Sequence, residues 1–227
     1  MHIPDGFMNA STSLGAGVLA AGGLGVSLRR TARTLQERQA PLAGLVAAYI
    51  FAVQMLNFPV AAGTSGHLLG GALAAVLVGP WAGAICVAVV LLVQGLLFAD
   101  GGLTALGLNV TNMAIVATFG GYAVFLLLRR VLPATRSAVV GAAGVAAGVS
   151  VVLAAAAFVA EYAIGGTGGA PVGTVVMAMV GVHVLIGVGE GIITAMTVAV
   201  VLGVRPDLVH GAADLQPSLV LEAGEVS

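Results

Sequence analysis

Seven runs of apolar residues, at roughly 13–28, 41–58, 61–79, 81–98, 103–128, 137–160 and 172–203, alternate with short polar or glycine-rich connections. Most approach the ~20 residues that a helix needs to cross hydrocarbon. The pattern predicts an all-α integral membrane protein, a seven-transmembrane-helix bundle in one domain over 1–203. A polar tail over 204–227 is expected to be cytoplasmic and disordered. Arg29-to-Ala40 is the one sizeable polar connection and predicts a short amphipathic helix at the inner surface. Gly79-Pro80-Trp81 predicts a tight turn, with Trp81 suited to the interface.

The basic residues set the orientation. Arg29, Arg30, Arg33 and Arg38 follow the first run, Arg129, Arg130 and Arg136 the fifth, and Arg205 the seventh. Seven crossings put all eight on one side, which the positive-inside rule makes cytoplasmic, leaving the amino terminus outside. A re-entrant 61–79 would send the 129–136 cluster outward, so that run is counted as crossing. Residues 57–67, 100–102 and 161–171 then share the outer side with the amino terminus.

Composition agrees. The chain is 59% hydrophobic and 7% charged, with mean hydropathy +1.12, against roughly 25% charge in an ordinary globular domain. A net charge of −1 without a basic surface argues against a nucleic-acid partner. Cys86 stands alone, so no internal disulfide forms and it reads as a small buried hydrophobe. The 34 glycines suit close helix packing in lipid; Gly15, Ala16, Ala20, Gly23 and Gly25 give the first helix a small-residue face.

The candidate chemistry begins at Met1-His2-Ile3-Pro4-Asp5-Gly6. A free Met1 amine, the Met1–His2 amide nitrogen and His2 Nδ1 close one five-membered and one six-membered chelate ring around a metal. With Met1 as the mature start, no secretory signal is expected. His67, in Gly63-Thr64-Ser65-Gly66-His67, offers a fourth nitrogen on the same side, flanked by glycines that let the arm come close. Such a planar all-nitrogen set suits Ni(II), Cu(II) or low-spin Co(II) over tetrahedral Zn(II) or oxygen-seeking Mg(II). It tilts the choice towards nickel. Binding releases protons, so it should weaken as pH falls.

Other polar residues surround this candidate. Asn109 and Asn112, one turn apart, are read either as second-shell groups that orient the ligands or as interhelical hydrogen bonds. His183 and Glu190 are seven apart on one helix face, where ionisable groups in lipid are usually functional; a structural or conformational role is favoured over direct ligation. Asp5 is read as steadying the arm or capping the first helix, and Asp100 as a turn former. Gln54, Asn57 and Gln94 stand near the outer ends of their segments, within reach of the arm. His210, in the tail, is assigned no role. A rival reading is a rhomboid-like intramembrane serine protease using Ser65 and His183, which leaves the amino-terminal chelate unexplained. A passive channel is disfavoured by the lack of charged rings along the spans.

Four stretches in order, MHIPDG, MLNFPVAAGTSGHLLGGALAAVLVGPWAG, QGLLFADGGLTALGLNVTNMAIV and GVHVLIGVGEGIIT, resemble the substrate-capture (S) component of cobalt/nickel energy-coupling-factor transporters over about residues 1–200. The resemblance implies a metal held by Met1, His2 and His67. It implies a transported Ni2+ or Co2+ ion, no permanently bound cofactor, and a link to cobalamin biosynthesis. It also implies a multi-pass protein of the bacterial cytoplasmic membrane, working with a small accessory membrane subunit, a transmembrane coupling protein and two cytoplasmic ATPases. The chain itself has no phosphate-binding Gly-x-x-x-x-Gly-Lys-Ser/Thr loop and no lysine. ATP hydrolysis therefore belongs to partners, and this subunit is not expected to be an enzyme.

Overall fold

The structure is a computed structural model that describes residues 1–35, 39–56, 58–59 and 65–215. Among the described residues, five helices are long and apolar enough to cross a membrane: α1 (Ala10–Thr34), α4 (Pro80–Leu97), α5 (Leu106–Val131), α6 (Arg136–Gly165) and α7 (Val172–Val204). Between α1 and α4 lie a shorter apolar helix, α2 (Ala40–Gln54), and the eight-residue α3 (Gly71–Val78). The architecture is therefore all-α, apart from a two-residue antiparallel pair in which Phe58–Pro59 meets Ser65–Gly66.

Side chains start and stop these helices as the sequence suggests. Asn9 caps α1 by accepting from Thr12 N at 2.9 Å, and Thr135 caps α6 by accepting from Ala138 N. Asp5 thus does not cap α1. Gly79, at φ +87°, ends α3, and Pro80 opens α4 at once, because proline's fixed φ suits a first helical turn. Arg30 lies over the Trp81 ring at 5.8 Å, and Trp81 packs edge-on against Phe119.

Two expectations change. α1 runs unbroken to Thr34, so Arg29, Arg30 and Arg33 ride on its final turns rather than on a separate amphipathic helix. At ~1.5 Å per residue its 25 residues reach about 38 Å, beyond the ~30 Å hydrocarbon, and the excess carries the arginines. Arg38 lies outside the described residues. Among its described residues, the run at 61–79 is helical only over Gly71–Val78. Before it, residues 67–70 have no regular structure, and Gly70 sits at φ +75°, a left-handed conformation that suits glycine. Non-helical backbone at membrane depth is tolerated where protein satisfies its amides. Here a carboxylate from α7 does so.

α6 and α7 pack as a close pair: a Cβ at Gly144 would stand 2.9 Å from Gly191 O, and one at Gly187 would stand 2.7 Å from Gly148 O. Only glycine permits that approach. Part of the small face of α1 meets α5: Ala16 and Ala20 are buried and Gly23 faces Ile115, whereas Gly15 is exposed, and the closest approach is at Gly17, whose Cα a Cβ on Gly107 would touch at 2.5 Å. Past α7 the chain packs in short 3-10 turns through Leu215, with Val209 and Ala212 buried and Asp214 paired to Arg129 at 2.6 Å. His210 lies against Gly79 and Tyr122. Residues 216–227 lie outside the described residues.

Candidate metal centre

The first nine residues fold back into the bundle. Met1, His2 and Ile3 are 1%, 4% and 0% exposed, and the backbone of Ile3 is held on both edges. Its N–H donates to Asn109 Oδ1 at 2.8 Å, while its carbonyl accepts from Gly102 N at 2.9 Å and from Asn109 Nδ2 at 3.3 Å. Asp5 Oδ1 accepts from both the N–H and the hydroxyl of Thr104, so this carboxylate steadies the arm. Gly6 turns the chain at φ +75°. Phe7 then packs on Phe158 and Tyr162, and Asn9 N donates to Gly165 O at 2.7 Å.

Gly101 and Gly102 make room for this arm. A Cβ at Gly102 would stand 2.3 Å from Asp5 N, and one at Gly101 would stand 3.1 Å from His2 Nδ1. The Asp-Gly-Gly after α4 is therefore a docking cradle as well as a turn.

The arm delivers His2 to His67. Their rings stack with centroids 4.6 Å apart and planes 29° apart. Two imidazoles bound at right angles to one metal through ~2 Å bonds would have ring centres about 4.4 Å apart. The observed spacing is thus compatible with neighbouring positions on a shared ion. His67 Nδ1 faces the Leu68 carbonyl at 2.8 Å; a carbonyl only accepts, so Nδ1 carries the proton. That leaves a lone pair on His67 Nε2, which is buried without a hydrogen-bond partner among the described residues. His2 Nε2 lies 3.5 Å from Asp100 Oδ2, so Asp100 is placed to orient the ring that presents Nδ1.

Burial also sets protonation. It lowers the Met1 amine well below its ordinary value of 8.0, against the opposing pull of the Asp100 charge. Burial, with the nearby terminal amine, lowers His2 from 6.5 to about 3. Both groups are held in the neutral form that donates to a metal. Among the described residues no three His, Cys, Asp or Glu side chains gather at one point.

The other candidates divide by position. Asn109 grips the arm, whereas Asn112 Nδ2 donates to Glu161 on α6 at 2.7 Å and ties helix to helix. A π-helical stretch, Val110–Val116, interrupts α5 at this point, a feature often found at functional sites. Both Glu190 oxygens accept backbone amides from the segment that carries His67: Leu69 N at 2.5 Å and Gly70 N at 2.8 Å. Gln54 Nε2 holds the Leu69 carbonyl at 2.7 Å. His183 Nδ1 faces the Met179 carbonyl at 2.7 Å, and its Nε2 is buried without a partner. Gln94 is buried near the Asp100 backbone. Asn57 and the Ser65 side chain lie outside the described residues. Reading the sequence alone missed the closeness of Asp100 to His2, the cradle role of Gly101-Gly102, and Glu161. The one available signal was an Asp-Gly-Gly on the same side as the amino terminus.

Comparison with known proteins bears on the family of the chain. The family model described as CbiM, cobalt uptake substrate-specific transmembrane region, matches residues 2–208. A chain of Archaeoglobus fulgidus that carries the provisional name of a fused nickel transport protein, NikMN, is 44% identical over 213 residues, covering 94% of this chain and 69% of that one. The cobalt transport protein CbiM of Sorangium cellulosum is 35% identical over 216 residues, covering 92% of this chain and 94% of that protein. A crystal structure of a truncated transition metal transporter superposes with a TM-score of 0.81 at 30% identity, covering 89% of this chain and 99% of that one. These names are those of transport proteins, and they lend nothing to the protease reading. From the near-complete span of the family match, this chain belongs to the CbiM family, the cobalt uptake substrate-specific transmembrane region.

Proposed function

We propose that this chain is the metal-capture membrane component of an ATP-driven importer for Ni2+ or Co2+. It holds the ion through the Met1 amine, the Met1–His2 amide nitrogen, His2 Nδ1 and His67 Nε2. The observation that carries this reading is a buried amino terminus whose second residue stacks on His67 at 4.6 Å. Burying a polar terminus without function is costly, and here Asn109, Gly102 and Thr104 are all arranged to keep it in.

Each donor has a reason. The amine and His2 are neutral in place, His67 Nε2 has a lone pair and no competing partner, and the amide loses its proton to the metal as the chelate closes. Four nitrogens in a plane favour Ni(II) and low-spin Co(II) among the ions available, since copper would otherwise bind more tightly.

The topology that serves this function has seven crossings, with the amino terminus outside. Residues 65–70, at up to ~3.3 Å each, add about 20 Å to the roughly 12 Å of α3. Together they are long enough to cross ~30 Å of hydrocarbon. In the cytoplasmic membrane this places the arginine-rich loops and the tail inside. A small accessory membrane subunit, a coupling protein and a pair of ATPases supply the drive that this chain lacks. The test is uptake of radioactive nickel and cobalt by cells carrying the complete transporter. A one-residue extension before Met1 should abolish it while the chain still reaches the membrane. Undiminished uptake would contradict the proposal.

A further inference from the structure

His183 is fully buried on α7, at 0% exposure, in the middle of an apolar helix. The Met179 carbonyl, at 2.7 Å, can only accept, so it fixes the proton on Nδ1 and leaves the lone pair on Nε2. That nitrogen has no hydrogen-bond partner among the described residues. Neither capture at the clamp nor helix packing uses it. An unpartnered buried acceptor is costly, and an ionisable residue kept in lipid is usually functional.

Its neighbours suggest the use. His183 lies within electrostatic reach of both His67 and the Met1 amine. The backbone explains why. Glu190, two turns or ~10 Å further along α7, holds the amides of Leu69 and Gly70. Moving back from Leu69 to His67 along non-helical backbone covers up to ~7 Å, and Ser65–Gly66, directly before His67, again contacts α7. His67 and His183 are therefore brought to similar depths on facing elements, each with Nε2 free.

We infer that His67 Nε2 and His183 Nε2 form a second, transient position for the transported divalent ion, which the ion takes as it leaves the amino-terminal clamp. The inference rests on the clamp reading for the role of His67, the ligand shared by both positions. Three of the clamp's four nitrogens leave with the arm. His67 stays with the bundle and keeps hold of the ion while His183 replaces them, and the released amide recovers its proton from water. The position has two side-chain ligands, since no three metal-binding side chains gather among the described residues. Water and backbone carbonyls complete it, which makes it weak enough to let the ion go on.

The test separates the two positions by removing the clamp. The full chain is purified in detergent with four residues added before Met1 and with His2→Ala, so that no terminal chelate remains, and titrated with Co2+ alone; Cu2+ serves as the spectroscopic probe for pulsed electron paramagnetic resonance. The extended chain should keep a weak site, with two histidine nitrogens on the bound Cu2+. His183→Gln or His183→Ala should lower its Co2+ affinity by about tenfold or more and reduce the histidine count to one. In the complete transporter with a free terminus, His183→Gln should slow uptake by a similar factor. Two variants of different size, each checked by thermal unfolding, separate ligation from loss of fold. An extended chain whose residual site ignores His183 would overturn the inference, as would uptake that ignores it. Parent-like affinity in the extended chain would instead overturn the clamp, while the His183 variants still report on the second position.

Discussion

Gly102→Val puts the account under strain at a point that touches neither the metal ligands nor a transmembrane helix. A Cβ at residue 102 would stand 2.3 Å from Asp5 N, 2.5 Å from Asp5 Oδ1 and 2.7 Å from the Pro4 carbonyl carbon, where ordinary contact begins at 3.4 Å. The nearest atom is backbone and cannot swing aside, so the arm must retreat by about 1 Å. Metal–ligand distances tolerate only about ±0.2 Å. A retreat of that size carries the Met1 and His2 nitrogens away from His67, which is anchored separately by Glu190 and Gln54. The bonds from Gly102 N to Ile3 O and from Thr104 to Asp5 are strained together. Displacing supporting groups of this kind costs 10–100-fold in metal affinity, and the lost fourth ligand pushes the effect to the upper end. The assay is a competitive Ni2+ or Co2+ titration of the purified chain, with helix content and melting temperature as controls. A folded Gly102→Val chain that binds within about threefold of the parent would refute the docked-arm geometry.

Three further outcomes follow from the same contacts. Burial lowers the Met1 amine below 8.0 and His2 from 6.5 to about 3. An undocked arm therefore binds more protons than a docked one, and docking is favoured as pH rises. Metal affinity should fall about tenfold per pH unit below pH 8 for the amine alone, and more steeply below 6.5 as His2 joins; a flat titration between pH 5.5 and 8 would count against burial of these groups. Glu190→Ala leaves the Leu69 and Gly70 amides without their acceptor. At ~1–3 kcal/mol for each unpaired buried group it should lower the unfolding temperature markedly, whereas Glu190→Gln, which keeps one acceptor oxygen, should lower it less. Gly187→Val forces a Cβ against Gly148 O and should destabilise the α6–α7 pair by ~1–3 kcal/mol, measured by thermal unfolding in detergent, with the amino-terminal site unaltered in the fraction still folded.

Much of the frame was legible from the chain because hydropathy is summed over many residues. The runs at 137–160 and 172–203 fall inside α6 and α7, the run at 81–98 overlaps α4 up to Leu97, and the Gly-Pro-Trp turn stands where the residues put it. The failures have local causes. The 61–79 run is as apolar as a helix, but only tertiary partners determine that residues 67–70 remain non-helical, because Glu190 on α7, 120 residues from Gly70, satisfies the Leu69 and Gly70 amides. The separate helix over 29–40 failed because polar arginines do not end a helix that emerges into water. At the site, His2 stacks on His67 and Met1 is buried. Asp100 and the glycine pair were read as a turn, since sequence cannot say which backbone will press against a glycine. Asn112 was grouped with Asn109 by spacing. One grips the arm and the other reaches Glu161.

The central claim is that the free amino terminus is itself a ligand. Its most direct measurement is the Ni2+ dissociation constant of the purified chain with Met1 free and with Met1 acetylated, at one pH and in one detergent. Acetylation keeps the sequence, His2 and His67, but removes the amine's lone pair and breaks the five-membered ring. The account predicts a loss of affinity of at least about 100-fold, or about 2.7 kcal/mol, with the planar four-nitrogen absorption spectrum abolished. Equal affinity and an unchanged spectrum in the acetylated chain would contradict it.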